Sequence, residues 1–199
     1  MNHIGTHTIT TPRLTLRRFV VDDAAAMFRN WANDPRVTKF LTWPVHESED
    51  VTRQLLTAWV NQYSDPRWYQ WAIVPRELDE PIGSISAVRL KDHTSSVDIG
   101  YCIGSRWWGQ GITAEALRAV IGYFFEQVGM NAVCACHDTN NPNSGKVMRK
   151  SGMTYEGTRR QSDVNNQGIC DASWYSILRN EYFAEKTSTC PLQSEKTVV

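Results

Sequence analysis

The sequence predicts an α+β fold (mixed α/β) in a single domain, built on a mostly antiparallel sheet that contains one parallel strand pair and carries helices on its flanks. Three observations predict it. Strand-like runs follow one another between residues 68 and 103 with only short polar turns between them, as in a meander. The apolar period then changes from two to 3.6 after the glycine-bearing stretch 104–111 and returns to two at Asn131, which reads as strand, loop, helix, strand, a βαβ unit with parallel strands. Finally, 199 residues with 41% apolar side chains fit one domain with a core that needs no disulfide or metal.

The elements follow in order. Residues 1–10 form an N-terminal extension, and the domain occupies 11–183. Arg13 to Phe19 alternates apolar and polar residues, the signature of a strand. Asp22 is expected to cap a helix with Ala24, Met27, Phe28 and Trp31 on one apolar face, stopped at Asn33-Asp34-Pro35. A connector with Phe40, Trp43 and Pro44 leads to a second helix, about 48–63, with Leu55, Leu56, Trp59, Val60 and Tyr63 inward. Strands are predicted over 68–74, 81–90 and 96–103; in the last, Val97, Ile99, Tyr101 and Ile103 share one face and Ser96, Asp98, Gly100 and Cys102 the other. A helix with Leu117, Val120, Ile121, Phe124, Phe125 and Val128 inward ends at Gly129. Next come a strand over 131–137, a short helix over 144–150 and a hairpin, 153–160 with 169–178, turning at Asn165-Asn166-Gln167-Gly168. Residues 184–199 are polar and patternless, a flexible tail.

Composition excludes several classes. Lys plus Arg and Asp plus Glu both number 21, so the net charge is zero; a nucleic-acid binder held by phosphate neutralisation carries a basic excess. No apolar run approaches a membrane span, and the N-terminus does not read as a secretory signal. Five cysteines (102, 134, 136, 170, 190) without C-x-x-C spacing argue against a disulfide framework and for a reduced, cytoplasmic location. Cys134, Cys136 and His137 could be read as metal ligands, but small residues alternating on a buried strand account for them better, and no metal is expected. Eight Trp and a 15-to-6 excess of Arg over Lys are the unusual numbers.

The informative segment is Arg106-Trp-Trp-Gly-Gln-Gly-Ile-Thr113. Glycines let backbone approach an anion closely, and the following helix start supplies free N–H groups and the positive end of its dipole, so the stretch suits a phosphate or pyrophosphate. A plain strand-to-helix turn competes with that reading. A P-loop is excluded because Ile112, not Lys, follows Gly111, and a dinucleotide fingerprint is disfavoured by the loop's length, its Trp content and its place after a meander.

The stretch from Asp98 to Leu117 resembles the Q/R-x-x-G-x-G/A motif of the GNAT superfamily of N-acetyltransferases. A second stretch, Asn141-Pro-Asn-Ser144 followed by Val147-Met-Arg-Lys150-Ser-Gly152-Met153, is similar to that family's N-x-x-S/A…K-x-G-F segment. Thr11-Pro-Arg-Leu-Thr-Leu-Arg17 and Asn33-Asp-Pro-Arg-Val37 resemble the RimJ/RimL branch, whose members acetylate protein N-terminal amines.

The resemblance implies the GNAT fold with a splayed parallel pair, and transfer of acetyl from acetyl-CoA to a primary amine by direct attack in a ternary complex. It implies that backbone around Tyr101, Cys102 and Ile103 holds the pantetheine, that Arg106 with Trp108, Gly109, Gln110, Gly111, Ile112 and Thr113 holds the pyrophosphate, and that Asn141 bonds the pantetheine or fixes its loop. Asp98, or a water chain, is the expected base. Met148 stands where many members have Tyr, which makes Ser144 the implied acid for the leaving thiolate; a helix cap is its competing role. Cys102 is not expected to act as a nucleophile, because nothing nearby lowers its pKa. The acceptor groove is expected along Trp31 to Glu49, with Trp31, Trp43 and Glu47 as substrate-binding residues beside Phe40 and Glu49; aromatic walls with carboxylates suit a cationic amine. The acceptor is a protein N-terminus or a small amine, and the protein a monomer or homodimer. A non-catalytic acyl-CoA-binding protein of the same fold is the alternative.

Overall fold

The computed structural model describes residues 1–188. An eight-stranded sheet has the order β1-β2-β3-β4-β5-β6-β8-β7, with β1 at Ile9–Thr10, β2 at Leu14–Arg17, β3 at Gln70–Pro75, β4 at Gly83–Lys91, β5 at Ser96–Ile103, β6 at Ala132–Asp138, β7 at Thr154–Asn165 and β8 at Gly168–Leu178. Every neighbouring pair is antiparallel except β5 with β6. The meander and the βαβ unit predicted from periodicity are both present, and β5 has the predicted ends.

Helices α1 (Ala24–Met27) and α3 (Glu49–Gln62) cover one face around Phe19, Met27, Trp31, Leu56 and Val74. Helix α4 (Ile112–Tyr123) and α5 (Pro142–Lys150) cover the other, over Leu16, Trp71, Ile85, Val97, Ile99 and Val133. The alternation along β5 explains the division: Val97, Ile99, Tyr101 and Ile103 join the α4 side, while Cys102 joins the α1–α3 side. Among the described residues no helix is long and apolar enough to cross a membrane.

Four details differ from expectation. Asp22 is exposed, and the neighbouring Asp23 carboxylate does the pinning, accepting the Val20 N–H at 2.9 Å and both Arg17 guanidinium nitrogens at 2.7 and 2.8 Å. Both α1 and α4 widen at their C-terminal ends into π-helical turns, Phe28–Ala32 and Phe124–Val128, which a strict 3.6 period cannot reveal. The first residues are docked: Asn2 N–H bonds Val128 C=O at 2.8 Å, and the Tyr123 hydroxyl donates to Gly5 C=O at 2.5 Å. The patternless stretch after Ala184 begins inside a helix, α6 (Arg179–Ser188), whose Tyr182 packs beside Phe125; residues 189–199 lie outside the described residues.

Two ties position the loops around the sheet opening. Helix α2 (Pro35–Thr38) begins at Asp34, whose carboxylate accepts bonds from Arg36 and from Ser105 Oγ, so the chain after α1 is fastened to the loop after β5. The tip of the β7–β8 hairpin reaches across to the connector. There Asn166 donates from its backbone N–H to Leu41 C=O at 3.0 Å and from its amide to Thr38 C=O at 2.8 Å and Trp43 C=O at 2.7 Å.

Candidate active site

Strands β5 and β6 pair in parallel at three positions only, Ser96 with Ala132, Val97 with Val133 and Asp98 with Cys134. Beyond Asp98, β5 stays with β4 and β6 stays with β8. The two strands therefore diverge, and alternate backbone groups of residues 99–103 face the gap without a strand partner, the arrangement that accepts an added extended chain. A cleft of about 620 Å³ lies at this opening, bounded by Tyr101, Cys102 and Ile103 on β5, by the loop and first turn of α4, and by the start of α5.

The loop is built for close approach. Gly109 and Gly111 have φ of 77° and 75°, which side chains with a Cβ rarely adopt, and a Cβ on Gly109 would meet nothing within 4 Å. Backbone conformation, not crowding, calls for glycine at both positions. The first intrahelical bond of α4 runs from Glu115 N–H to Gly111 C=O. The N–H groups of Ile112, Thr113 and Ala114 thus precede the ladder, and all three residues line the cleft. Trp107 packs against the core, while Trp108 is half exposed in the cleft and its indole N–H occupies Ile103 C=O at 3.0 Å.

On the opposite wall, Asn141 precedes α5 and its C=O accepts the Ser144 N–H at 3.1 Å. The Tyr101 hydroxyl donates to Ser144 C=O at 3.0 Å and lies 2.9 Å from Ser144 Oγ, and burial raises the Tyr101 pKa above the ordinary phenol range. The close seat of α5 depends on Gly145, where a Cβ would stand 2.5 Å from His137 Nε2. Cys102 is buried, which pushes its thiol up and disfavours a thiolate.

Not every predicted residue is brought to the cleft. Arg106 is exposed, stacks over the Trp107 ring and stands outside the lining; Gln110 also lies outside it, its side-chain amide bonded to Arg106 C=O at 3.1 Å. Asp98 sits at the apex where the strands part, about 10 Å along the strand from Tyr101. Its carboxylate is held by Lys91 Nζ at 2.7 Å, with Arg89 at 3.9 Å, and it does not line the cleft. Trp31 is wholly buried against Phe19, Trp43 packs on His46, and Glu47 is exposed; none of them lines the cleft. Trp31 follows its apolar helix face into the core, which is the stronger of the two demands on that residue.

From this stretch of the chain the cleft is lined by Val37, Phe40 and Leu41, with Arg36 beside them. Only Phe40 carried a signal, as an aromatic residue in a connector. Cys134 and Cys136 face the half-open side of β6 rather than the core, which takes Val133 and Ala135. Asp163 Oδ2 accepts from the Cys136 thiol at 3.6 Å; burial, then this carboxylate, pushes that thiol up to about 12. Asp163 reaches there because a bulge interrupts β7 between Arg159 and Asp163, which no sequence pattern announces.

Comparison with known proteins agrees with this geometry. Residues 13–154 match the acetyltransferase (GNAT) domain family. The chain belongs to the GNAT acetyltransferase family. This GNAT acetyltransferase is 30% identical to the uncharacterized N-acetyltransferase YoaA of Bacillus subtilis over 86% of the chain and 96% of YoaA. It is 29% identical to the ribosomal-protein-serine acetyltransferase of Escherichia coli over 69% of the chain and 76% of that protein. The structure of RimL, a ribosomal L7/L12 alpha-N-protein acetyltransferase solved in complex with coenzyme A, superposes with a TM-score of 0.76 at 20% identity, covering 86% of this chain and 98% of RimL; that likeness is one of fold. The fold is the GNAT fold and the chemistry acyl transfer, within a set of relatives of RimJ/RimL type.

Proposed function

We propose that this GNAT acetyltransferase transfers acetyl from acetyl-CoA to a protein N-terminal amine by direct attack in a ternary complex. The observation that carries the reading is the parting of β5 and β6 after Asp98, continuous at one end with the free N–H groups of α4 and at the other with the Tyr101–Ser144 pair. Pantetheine fits the unpaired edge of β5, its amides replacing a missing strand, and the pyrophosphate fits the helix start, where backbone N–H groups and the dipole favour an anion. The E. coli relative acts on a ribosomal protein, which supports a protein acceptor.

The chain's residues divide the work as follows. Ser144 Oγ donates a hydrogen bond to the departing thiolate while accepting one from the Tyr101 hydroxyl on the facing wall, and solvent supplies the proton the thiolate finally takes. An N-terminal α-amine has an ordinary pKa near 7.7–8.0, so an appreciable fraction is already neutral near pH 7 and water carries off the proton lost on attack. Asp98, engaged with Lys91 and outside the cleft, is a poor recipient for it. Asp163, bonded to the Cys136 thiol, and Asp138, held by Asn140 N–H and the Asn165 amide, also stand outside the cleft lining, so in our reading a chain of water takes that role. Val37, Phe40 and Leu41 give the acceptor an apolar wall.

Isothermal titration with acetyl-CoA tests the donor; absence of heat at millimolar ligand would overturn it. Release of free thiol with a panel of N-terminal peptides, polyamines and aminoglycosides tests the acceptor. Turnover with peptides supports a protein substrate, turnover with the other amines only points to a small molecule, and donor binding without any turnover favours a non-catalytic acyl-CoA-binding role.

A further inference from the structure

The turn between β1 and β2 is fastened to the phosphate-side helix by one carboxylate. Glu115, in the first turn of α4, accepts from Thr11 Oγ1 at 2.6 Å, from Arg13 N–H at 3.1 Å and from Arg13 Nε at 2.6 Å. The Arg13 guanidinium spans the gap further: Nη1 donates to Gln110 C=O at 3.1 Å, and Nη2 stands 3.7 Å from where a Cβ of Gly111 would be.

This contact has a geometric consequence. In a trans peptide the C=O and the following N–H point in opposite directions. With Gln110 C=O held by Arg13, on the side away from the cleft, the N–H of Gly111 is turned to the other side. Gly111 lines the cleft and Gln110 does not, consistent with that orientation. There is an electrostatic consequence as well. A carboxylate in the first turn of a helix competes with a bound anion for the same positive end, and Glu115 is such a carboxylate. Arg13 offsets its charge at 2.6 Å.

We propose that Arg13 is a positioning residue for the phosphate end of the acyl donor: it aims the Gly111 N–H into the cleft and cancels Glu115 beside the helix start. The proposal rests on the reading of the cleft as an acetyl-CoA site. It also gives a use to the Thr11-Pro-Arg13 segment, which lies outside both of the motifs that flank the cleft.

The experiment compares two donors that share the thioester arm and differ in the phosphates. Quenching of tryptophan fluorescence, to which Trp108 in the cleft contributes, follows binding of acetyl-CoA and of acetyl-pantetheine to the wild-type protein and to Arg13→Ala. The main-chain bonds of Arg13, to Glu115 and from Arg76 N–H, survive the substitution. Should the alanine variant melt markedly lower than wild type, Arg13→Gln serves in its place.

The expected result is acetyl-CoA binding weakened by about tenfold, the effect of losing one charge-assisted bond, with acetyl-pantetheine unchanged. Unchanged acetyl-CoA affinity, or equal weakening of both donors, overturns the proposal. Failure of the wild-type protein to bind acetyl-CoA overturns the functional reading itself, so the two failures are distinguishable.

Discussion

Replacing Tyr101 by Phe removes one oxygen and little else, and the structure says what that oxygen does. Its hydroxyl meets Ser144 twice, at the carbonyl and at Oγ, across the opening between β5 and α5. The carbonyl and hydroxyl of Ser144 are partly shielded from water, so leaving them unmet costs about 1–3 kcal/mol. For a domain of this length, about 2 kcal/mol corresponds to a melting temperature lower by roughly 4–8 °C. The larger effect is expected on catalysis. A Ser144 hydroxyl freed from Tyr101 samples other rotamers, and the maximal rate of thiol release at saturating acetyl-CoA falls on the order of tenfold or more. If the two hydroxyls act as one unit, Tyr101→Phe with Ser144→Ala together is no slower than Ser144→Ala alone. The assay is thiol release with any peptide that supports turnover, beside thermal unfolding of the same samples. A Tyr101→Phe rate within twofold of wild type, or losses that simply add in the double variant, would refute the reasoning.

Asp98→Asn weakens the Lys91 contact and lowers stability by about 1–3 kcal/mol while leaving the maximal rate within about twofold; rates and melting curves for the variant separate a structural carboxylate from a reactive one. Gly145→Ala drives a Cβ toward the His137 ring, which is anchored through Nδ1 to Asp138 C=O at 2.7 Å, so the start of α5 shifts; melting and thiol release both drop, stability by about 1–3 kcal/mol. Burial alone would raise the Glu115 pKa, but bonds from Thr11 and Arg13 outweigh it, and the net shift is below the ordinary 4.5. Glu115 therefore contributes stability that is complete above about pH 4.5 and is lost as pH falls through its depressed value, so denaturant melts of wild type should lose more stability between about pH 7 and pH 3 than melts of Glu115→Gln.

What was legible in the sequence was whatever depends on local period or on a residue's own backbone freedom. Alternation located β5 and assigned its two faces correctly, and the switch to a 3.6 period located α4. Gly109 and Gly111 marked the loop that borders the cleft because only glycine tolerates their φ cheaply, and the Asn141–Ser144 segment marked the facing helix. What no pattern contained was register and reach. The parallel pairing stops after Asp98 because β4 and β8 hold the two strands along different directions, and that choice leaves Asp98 at the apex beside Lys91 instead of in the cleft. Trp31, Trp43 and Glu47 read as pocket residues because aromatic and acidic side chains look alike in a sequence whether they face a core, water or a ligand. Packing among Phe19, Met27 and Val74 buried the first, and the cleft is lined from this stretch by Val37, Phe40 and Leu41. The same holds for Arg13 and Glu115, 102 residues apart in the chain and 2.6 Å apart in space. Sequence determined which strand, loop and helices border the cleft, because backbone freedom and amphipathic period are local properties. Only the tertiary structure decided which side chains surround it, because that depends on strand divergence and long-range contact.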